Sequence, residues 1–210
     1  KGLGRSLGYL VGALVLGTAF PHLLKGFANI IPWEHVIIVT SILATCGGLL
    51  LLAFVPNGPY RTPSQKLDFS ALFRVFKKLT FRQAAFGYFG HMWELYAFWA
   101  FVPVMLSSYQ KLHHVTSLNI PLFSFLIIAI GSISCVIAGY TSIRLGTKKT
   151  ATIALSLSAL CCALSPLVFS INSTTLFISF LFFWGFVVIA DSPLFSTLVA
   201  QNAITELKGT

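Results

Sequence analysis

The chain has 210 residues, of which 56% are hydrophobic, 14% are aromatic and only 9% are charged, with a formal net charge of +9. Soluble domains carry roughly a quarter charged residues, and a folded soluble protein needs polar groups to cover its surface. The composition therefore excludes a soluble enzyme, a disordered tail and a disulfide-stapled secreted module, and it predicts an all-α membrane protein.

Six apolar segments have about the length of 20 residues that crosses a hydrocarbon core of about 30 Å. In chain order they are residues 7–24, 35–55, 84–106, 120–141, 150–170 and 174–198. We therefore predict six transmembrane helices in a multi-pass protein of the inner or plasma membrane, surrounded by the lipid bilayer.

The basic residues concentrate in alternate loops. They lie before the first segment, between the second and third, and between the fourth and fifth; the set is Lys1, Arg5, Arg61, Lys66, Arg74, Lys77, Lys78, Arg82, Arg144, Lys148 and Lys149. Since positively charged loops stay on the cytoplasmic side, we expect these loops and both ends of the chain to be cytoplasmic. This distribution accounts for the net charge without a nucleic-acid partner.

The first segment carries small residues at a helical spacing. Gly8 and Gly12 are four residues apart, and Gly17 and Pro21 follow them. Small residues at this spacing let two membrane helices approach closely, so we assign these four positions to helix packing.

The loop after the second segment contains an amphipathic pattern. Phe69, Phe73 and Phe76 recur at helical spacing, with Leu72 and Leu79 on the same side and basic residues on the other. This pattern predicts an interfacial helix on the inner leaflet, within a loop that joins two groups of helices.

The third segment carries an acidic residue near its middle. Gly87, His91, Glu94 and Phe98 share one stripe of a helix, and a carboxyl and an imidazole on one stripe indicate a face turned to protein or water. Three interpretations of Glu94 remain open. It forms a buried pair with His91 that stabilises packing, it carries a proton, or it contacts a substrate.

The last segment holds a second acid, Asp191, followed by Ser192 and Pro193. Proline removes a backbone donor and disturbs the helix at this point. Either Asp191 and Ser192 only satisfy the freed backbone groups, or a broken helix lines a cavity, as in transport sites. The four cysteines have no metal-ligand spacing, so we expect no metal and no cofactor.

Three features resemble the major facilitator superfamily, a group of twelve-helix secondary transporters. They are the basic loop at residues 57–83, the glycine-rich first segment that ends at Pro21, and the turn at residues 139–149. This turn resembles the superfamily's Gly-x-x-x-Asp-Arg-x-Gly-Arg-Lys motif through Gly139, Arg144, Gly146, Lys148 and Lys149, with Ile143 in place of the motif's aspartate.

The resemblance implies that the sequence is a piece of a longer protein, covering helices five to ten. Residues 1–56 would be the last two helices of the N-terminal half, residues 57–83 the central cytoplasmic loop, and residues 84–210 the first four helices of the C-terminal half. The missing helices of the same chain would complete the fold.

The resemblance also implies a secondary active transporter, and not an enzyme, that moves a small solute by alternating access. Helices seven and ten of the family line the cavity, which places Glu94 and Asp191 on it. The expected driving force is a proton gradient, with Glu94 as the titrating group, His91 as its modulator, and Asp191 and Ser192 as further cavity residues. The turn at 139–149 would form cytoplasmic gating contacts. The alternative is a stand-alone six-helix membrane enzyme or channel.

Overall fold

The computed structural model describes residues 2–27, 32–56, 69–115 and 118–203. Within these ranges the chain forms helices and no strands, which confirms the all-α prediction. The eight helices are α1 (Leu3–Phe27), α2 (Trp33–Phe54), α3 (Phe69–Lys77), α4 (Leu79–Leu112), α5 (Ile120–Leu145), α6 (Thr147–Ser170), α7 (Thr174–Val188) and α8 (Ser192–Asn202).

Five stretches are long and apolar enough to cross a membrane, namely α1, α2, α5, α6 and the run from α7 into α8. The third predicted segment lies within α4, which is not one of the five. With 34 residues, α4 is about 50 Å long at 1.5 Å per residue, so it exceeds the thickness of a bilayer core. His91 and Glu94 lie within its apolar stretch and lower the hydropathy of that stretch relative to the other helices.

Helices α1 and α5 pack antiparallel along most of their length. A methyl group added at Gly8 would lie 2.7 Å from the carbonyl oxygen of Cys135, and one added at Gly12 would lie 2.8 Å from that of Ser132. At the far end of the contact, the Asn119 side chain donates a hydrogen bond of 3.0 Å to the carbonyl of Gly26. Small residues therefore bring the two backbones into direct contact.

The core of the molecule lies where α1, α4, α5, α6 and α7 meet. Tyr109 of α4 is fully buried, its ring stacks on Phe177 of α7 with 3.9 Å between centroids, and its hydroxyl donates a hydrogen bond of 2.8 Å to the carbonyl of Ile171. Gly185 of α7 packs directly on the backbone of Ile127 in α5. These contacts fix α7 at both ends, with α4 at its start and with α5 near the point where it ends.

Helices α2 and α3 pack least against the other helices. No described residue of α2 is buried, and a helix that is apolar on every side is stable in hydrocarbon or against other helices. Helix α3 falls in the segment where the interfacial helix was predicted, and Phe73 is 74% exposed. Residues 57–68 of that loop, and with them Arg61 and Lys66, lie outside the described residues, as does Lys1.

Candidate functional site

The predicted last span is two helices, joined by a turn at residues 189–191. Pro193 lies in the first turn of α8. A backbone N–H in that turn has no partner within the helix, so the missing N–H of proline costs no hydrogen bond there. The Asp191 carbonyl oxygen accepts hydrogen bonds from the N–H groups of Leu194 and Phe195, at 3.0 and 2.8 Å. The Asp191 side chain makes no capping hydrogen bond, so its carboxyl is available to another part of the molecule.

That carboxyl faces His91 of α4. Asp191 Oδ1 lies 2.9 Å from His91 Nδ1, and the two side chains are 2% and 0% exposed. The two groups are within ion-pair distance, although their relative orientation does not give a well-aligned hydrogen bond. Among the described residues His91 Nε2 and Asp191 Oδ2 also have no hydrogen-bond partner. Buried polar atoms are almost always paired, so these positions can receive a proton, water or a polar ligand group.

The imidazole of His91 packs against two aromatic rings. It stacks on Tyr88, at 6.3 Å between centroids, and on Phe195 of α8, at 5.7 Å. A methyl group added at Gly87 would reach the ring of Phe195 at 2.7 Å, so the absence of a side chain there lets α8 approach α4. The stripe predicted on the third segment is therefore the face of α4 that packs on protein.

Glu94, one turn further along α4, is half-buried and has a different partner. Its carboxylate accepts a hydrogen bond of 2.5 Å from the Ser158 hydroxyl of α6, and that hydroxyl accepts one of 3.3 Å from the indole N–H of Trp184 in α7. Because an indole nitrogen can only donate, Ser158 is left to donate to Glu94. The carboxylate also interacts electrostatically with His91 and Asp191.

Sequence reasoning did not find Ser158. It is one of several serines in an apolar segment, and only its burial, at 1% exposed, distinguishes it. The position of Trp184 beside a buried serine of another helix also has no local signal in the sequence. Ser192 is buried next to Asp191, and its N–H donates to the carbonyl of Ile189.

The turn predicted to act in gating lies at the junction of α5 and α6. Gly146 has a φ of +85° and joins the two helices as a single residue, a conformation that favours glycine. Gly139 packs on the backbone of α1, where an added methyl would lie 2.8 Å from the carbonyl of Gly4. Arg144, Lys148 and Lys149 are exposed.

The other two positions assigned to packing differ from Gly8 and Gly12. A methyl at Gly17 would meet no atom within 4 Å, and Pro21 lies inside α1.

The family model described as Major Facilitator Superfamily matches residues 1–210. The chain belongs to the major facilitator superfamily. No significant match was found among curated proteins or among solved structures. As a member of this superfamily the chain is a multi-pass membrane transporter of small solutes, and the family resemblance seen in the sequence is confirmed.

Proposed function

We propose that this transporter is a secondary active carrier that moves its solute by alternating access and couples the movement to protons. Residues 1–56 and 84–210 belong to the two halves that move relative to each other, and the chain covers helices five to ten of twelve. The observation that carries the proposal is the cluster of three titratable side chains, Glu94, His91 and Asp191, beside the break between α7 and α8.

The chemistry of the cluster supports proton binding. An ionisable side chain inside a membrane span is costly and is kept where it serves an ion or proton pathway. His91 and Asp191 form a buried pair at ion-pair distance, and each has a second polar atom without a hydrogen-bond partner among the described residues. Glu94 is half-buried, so it is the least enclosed member of the cluster. We assign proton uptake and release to Glu94. We assign to His91 and Asp191 the electrostatic modulation of the Glu94 carboxyl.

The competing role is structural. In that case Glu94 holds α4 to α6 through Ser158, and the His91–Asp191 pair holds α4 to the helix break. The two roles differ in what Glu94→Gln does. Glutamine keeps an acceptor for the Ser158 hydroxyl and nearly the same volume, so packing is preserved while the titrating group is lost.

The experiment uses full-length protein in liposomes that contain a trapped pH-sensitive dye. A panel of small solutes is added outside, and the dye reports any proton flux that a solute drives. We expect at least one solute to drive a flux with wild-type protein and with Glu34→Gln, an exposed acid at the start of α2 that serves as control. Glu94→Gln should abolish the flux while leaving the melting temperature unchanged.

Two results would overturn the proposal. One is solute uptake by the wild-type protein with no proton movement. The other is Glu94→Gln protein that keeps the full proton-to-solute ratio, which would assign Glu94 to packing.

We also propose that the basic loops face the cytoplasm of an inner or plasma membrane, and that Arg144, Lys148 and Lys149 make gating contacts there. The positive-inside distribution of charge supports this orientation. Cysteines introduced singly at exposed positions of the α5–α6 junction should react with impermeant thiol reagents only in inside-out vesicles.

A further inference from the structure

A cavity of about 300 Å³ opens at the basic end of the bundle, between the first turns of α4 and α6 and the last turns of α8. It does not include Glu94, His91 or Asp191. Its polar lining residues are Thr80, Gln83, Lys148, Thr152 and Asn202, and its apolar lining includes Leu155, Phe195 and Leu198.

The charge on this cavity is positive. Lys148 lines it one residue after α6 begins, so the N-terminal end of the helix dipole adds to its charge. Lys78 donates a hydrogen bond of 3.0 Å to the carbonyl of Asn202 and brings a second ammonium group to the rim. None of the described residues that line the cavity is acidic.

The hydrogen-bond donors that line the cavity are free to bind a ligand. Within the described part of the chain, the side chains of Lys148, Gln83 and Thr80 make no hydrogen bond or ion pair to protein. They combine an ammonium, an amide and a hydroxyl, which together bind the oxygens of a phosphate group. The apolar residues Leu155 and Leu198 form the other wall of the same cavity. A free inorganic anion would gain nothing from that apolar wall, whereas an amphiphile would occupy both the polar and the apolar part of the cavity.

We propose that this cavity binds an anionic phospholipid, with the phosphate headgroup at Lys148 and part of an acyl chain against Leu155, Phe195 and Leu198. Basic pockets between membrane helices at the cytoplasmic surface suit such headgroups. The bound lipid would join α4, α6 and α8, which carry or flank Glu94, Ser158 and Asp191. The inference does not depend on proton coupling, because it concerns a different set of side chains.

The test is native mass spectrometry of the purified full-length protein, titrated with phosphatidylglycerol and, separately, with phosphatidylcholine. We expect phosphatidylglycerol to bind the wild-type protein more tightly. Lys148→Gln should weaken phosphatidylglycerol binding by about tenfold or more, the effect of losing a charge-assisted hydrogen bond to the phosphate. Lys149→Gln removes the same charge from the same helical turn but does not line the cavity, and it should weaken binding by at most about fivefold, the effect of one basic residue near a lipid surface.

A second variant separates the lipid from a free anion. Leu155→Asn should weaken phosphatidylglycerol binding while leaving any binding of inorganic phosphate unchanged. The proposal is overturned if Lys148→Gln and Lys149→Gln have equal effects, since the attraction would then be diffuse surface charge. It is also overturned if inorganic phosphate at millimolar concentration displaces the lipid completely and Leu155→Asn has no effect, or if phosphatidylcholine binds equally well.

Discussion

Adding a single methyl group at Gly8 should separate α1 from α5. The added carbon would lie 2.7 Å from the carbonyl oxygen of Cys135, which belongs to the backbone and cannot turn aside. A carbon and a carbonyl oxygen normally approach to about 3.3–3.6 Å. We therefore expect Gly8→Ala to push the two helices apart locally by about 0.6–0.9 Å, or to bend α1 by a comparable amount.

The cost follows from the rigidity of a packed interior. Inserting a methyl group into a well-packed contact costs about 1–3 kcal/mol. For a chain of this size, each kcal/mol lowers the melting temperature by about 2–4 °C. Gly8→Ala should therefore melt about 2–12 °C below the wild-type protein. Gly17→Ala is the matched control, because it gives α1 the same gain in helix propensity and meets no atom within 4 Å.

The assay is thermal unfolding of the purified protein in detergent, followed by circular dichroism. The double variant Gly8→Ala/Gly12→Ala sharpens it, since a methyl at Gly12 would lie 2.8 Å from the carbonyl oxygen of Ser132 on the same face. One displacement of α1 relieves both overlaps, so the double variant should lose less than the sum of the two single losses. Equal destabilisation by Gly17→Ala and Gly8→Ala would refute this explanation, as would wild-type stability of the double variant.

Two further predictions concern the core, and both are measured by the same melting assay. Tyr109→Phe removes the hydrogen bond to the carbonyl at the α6–α7 turn and should cost about 1 kcal/mol, whereas Tyr96→Phe, at an exposed position, should be neutral; equal effects would mean that the bond contributes nothing. Gly185→Ala forces a methyl onto the carbonyl oxygen of Ile127 and should destabilise at least as much as Gly8→Ala, while Gly90→Ala, which has open space, should not. A stable Gly185→Ala protein would show that α7 can move away from α5 at little cost.

The apolar segments were predictable because hydropathy is a local property of the chain. The break in the last span was also predictable, since Pro193 restricts the backbone around it wherever the segment lies. The stripe on α4 placed His91 and Glu94 on one face through the helical repeat alone, and the structure packs that face on protein.

The partners of these side chains were not predictable, because they come from distant parts of the chain. Glu94 accepts its hydrogen bond from Ser158, 64 residues away. The sequence places Asp191 beside a disturbed backbone, where a carboxyl often caps the next helix. The side chain instead faces His91, and this choice depends on how α4 packs against α8, which no local pattern encodes. Periodicity identifies the face of a helix, but tertiary packing decides what that face meets.

One turn of α5 connects the contact with α1 to the cluster of titratable groups. The carbonyl oxygen of Cys135 faces Gly8, while the thiol of the same residue donates to the carbonyl of Ile189 at 3.6 Å, in the turn that carries Asp191. Packed interiors shift between discrete arrangements and do not deform smoothly, so a displacement of α1 that moves α5 also moves this turn. Asp191 Oδ1 lies 2.9 Å from His91 Nδ1, so a movement of this turn changes that distance. Under the proposed mechanism, movement of one half against the other would therefore reach the proton-binding side chains through the backbone of α5, with no need for α4 itself to bend.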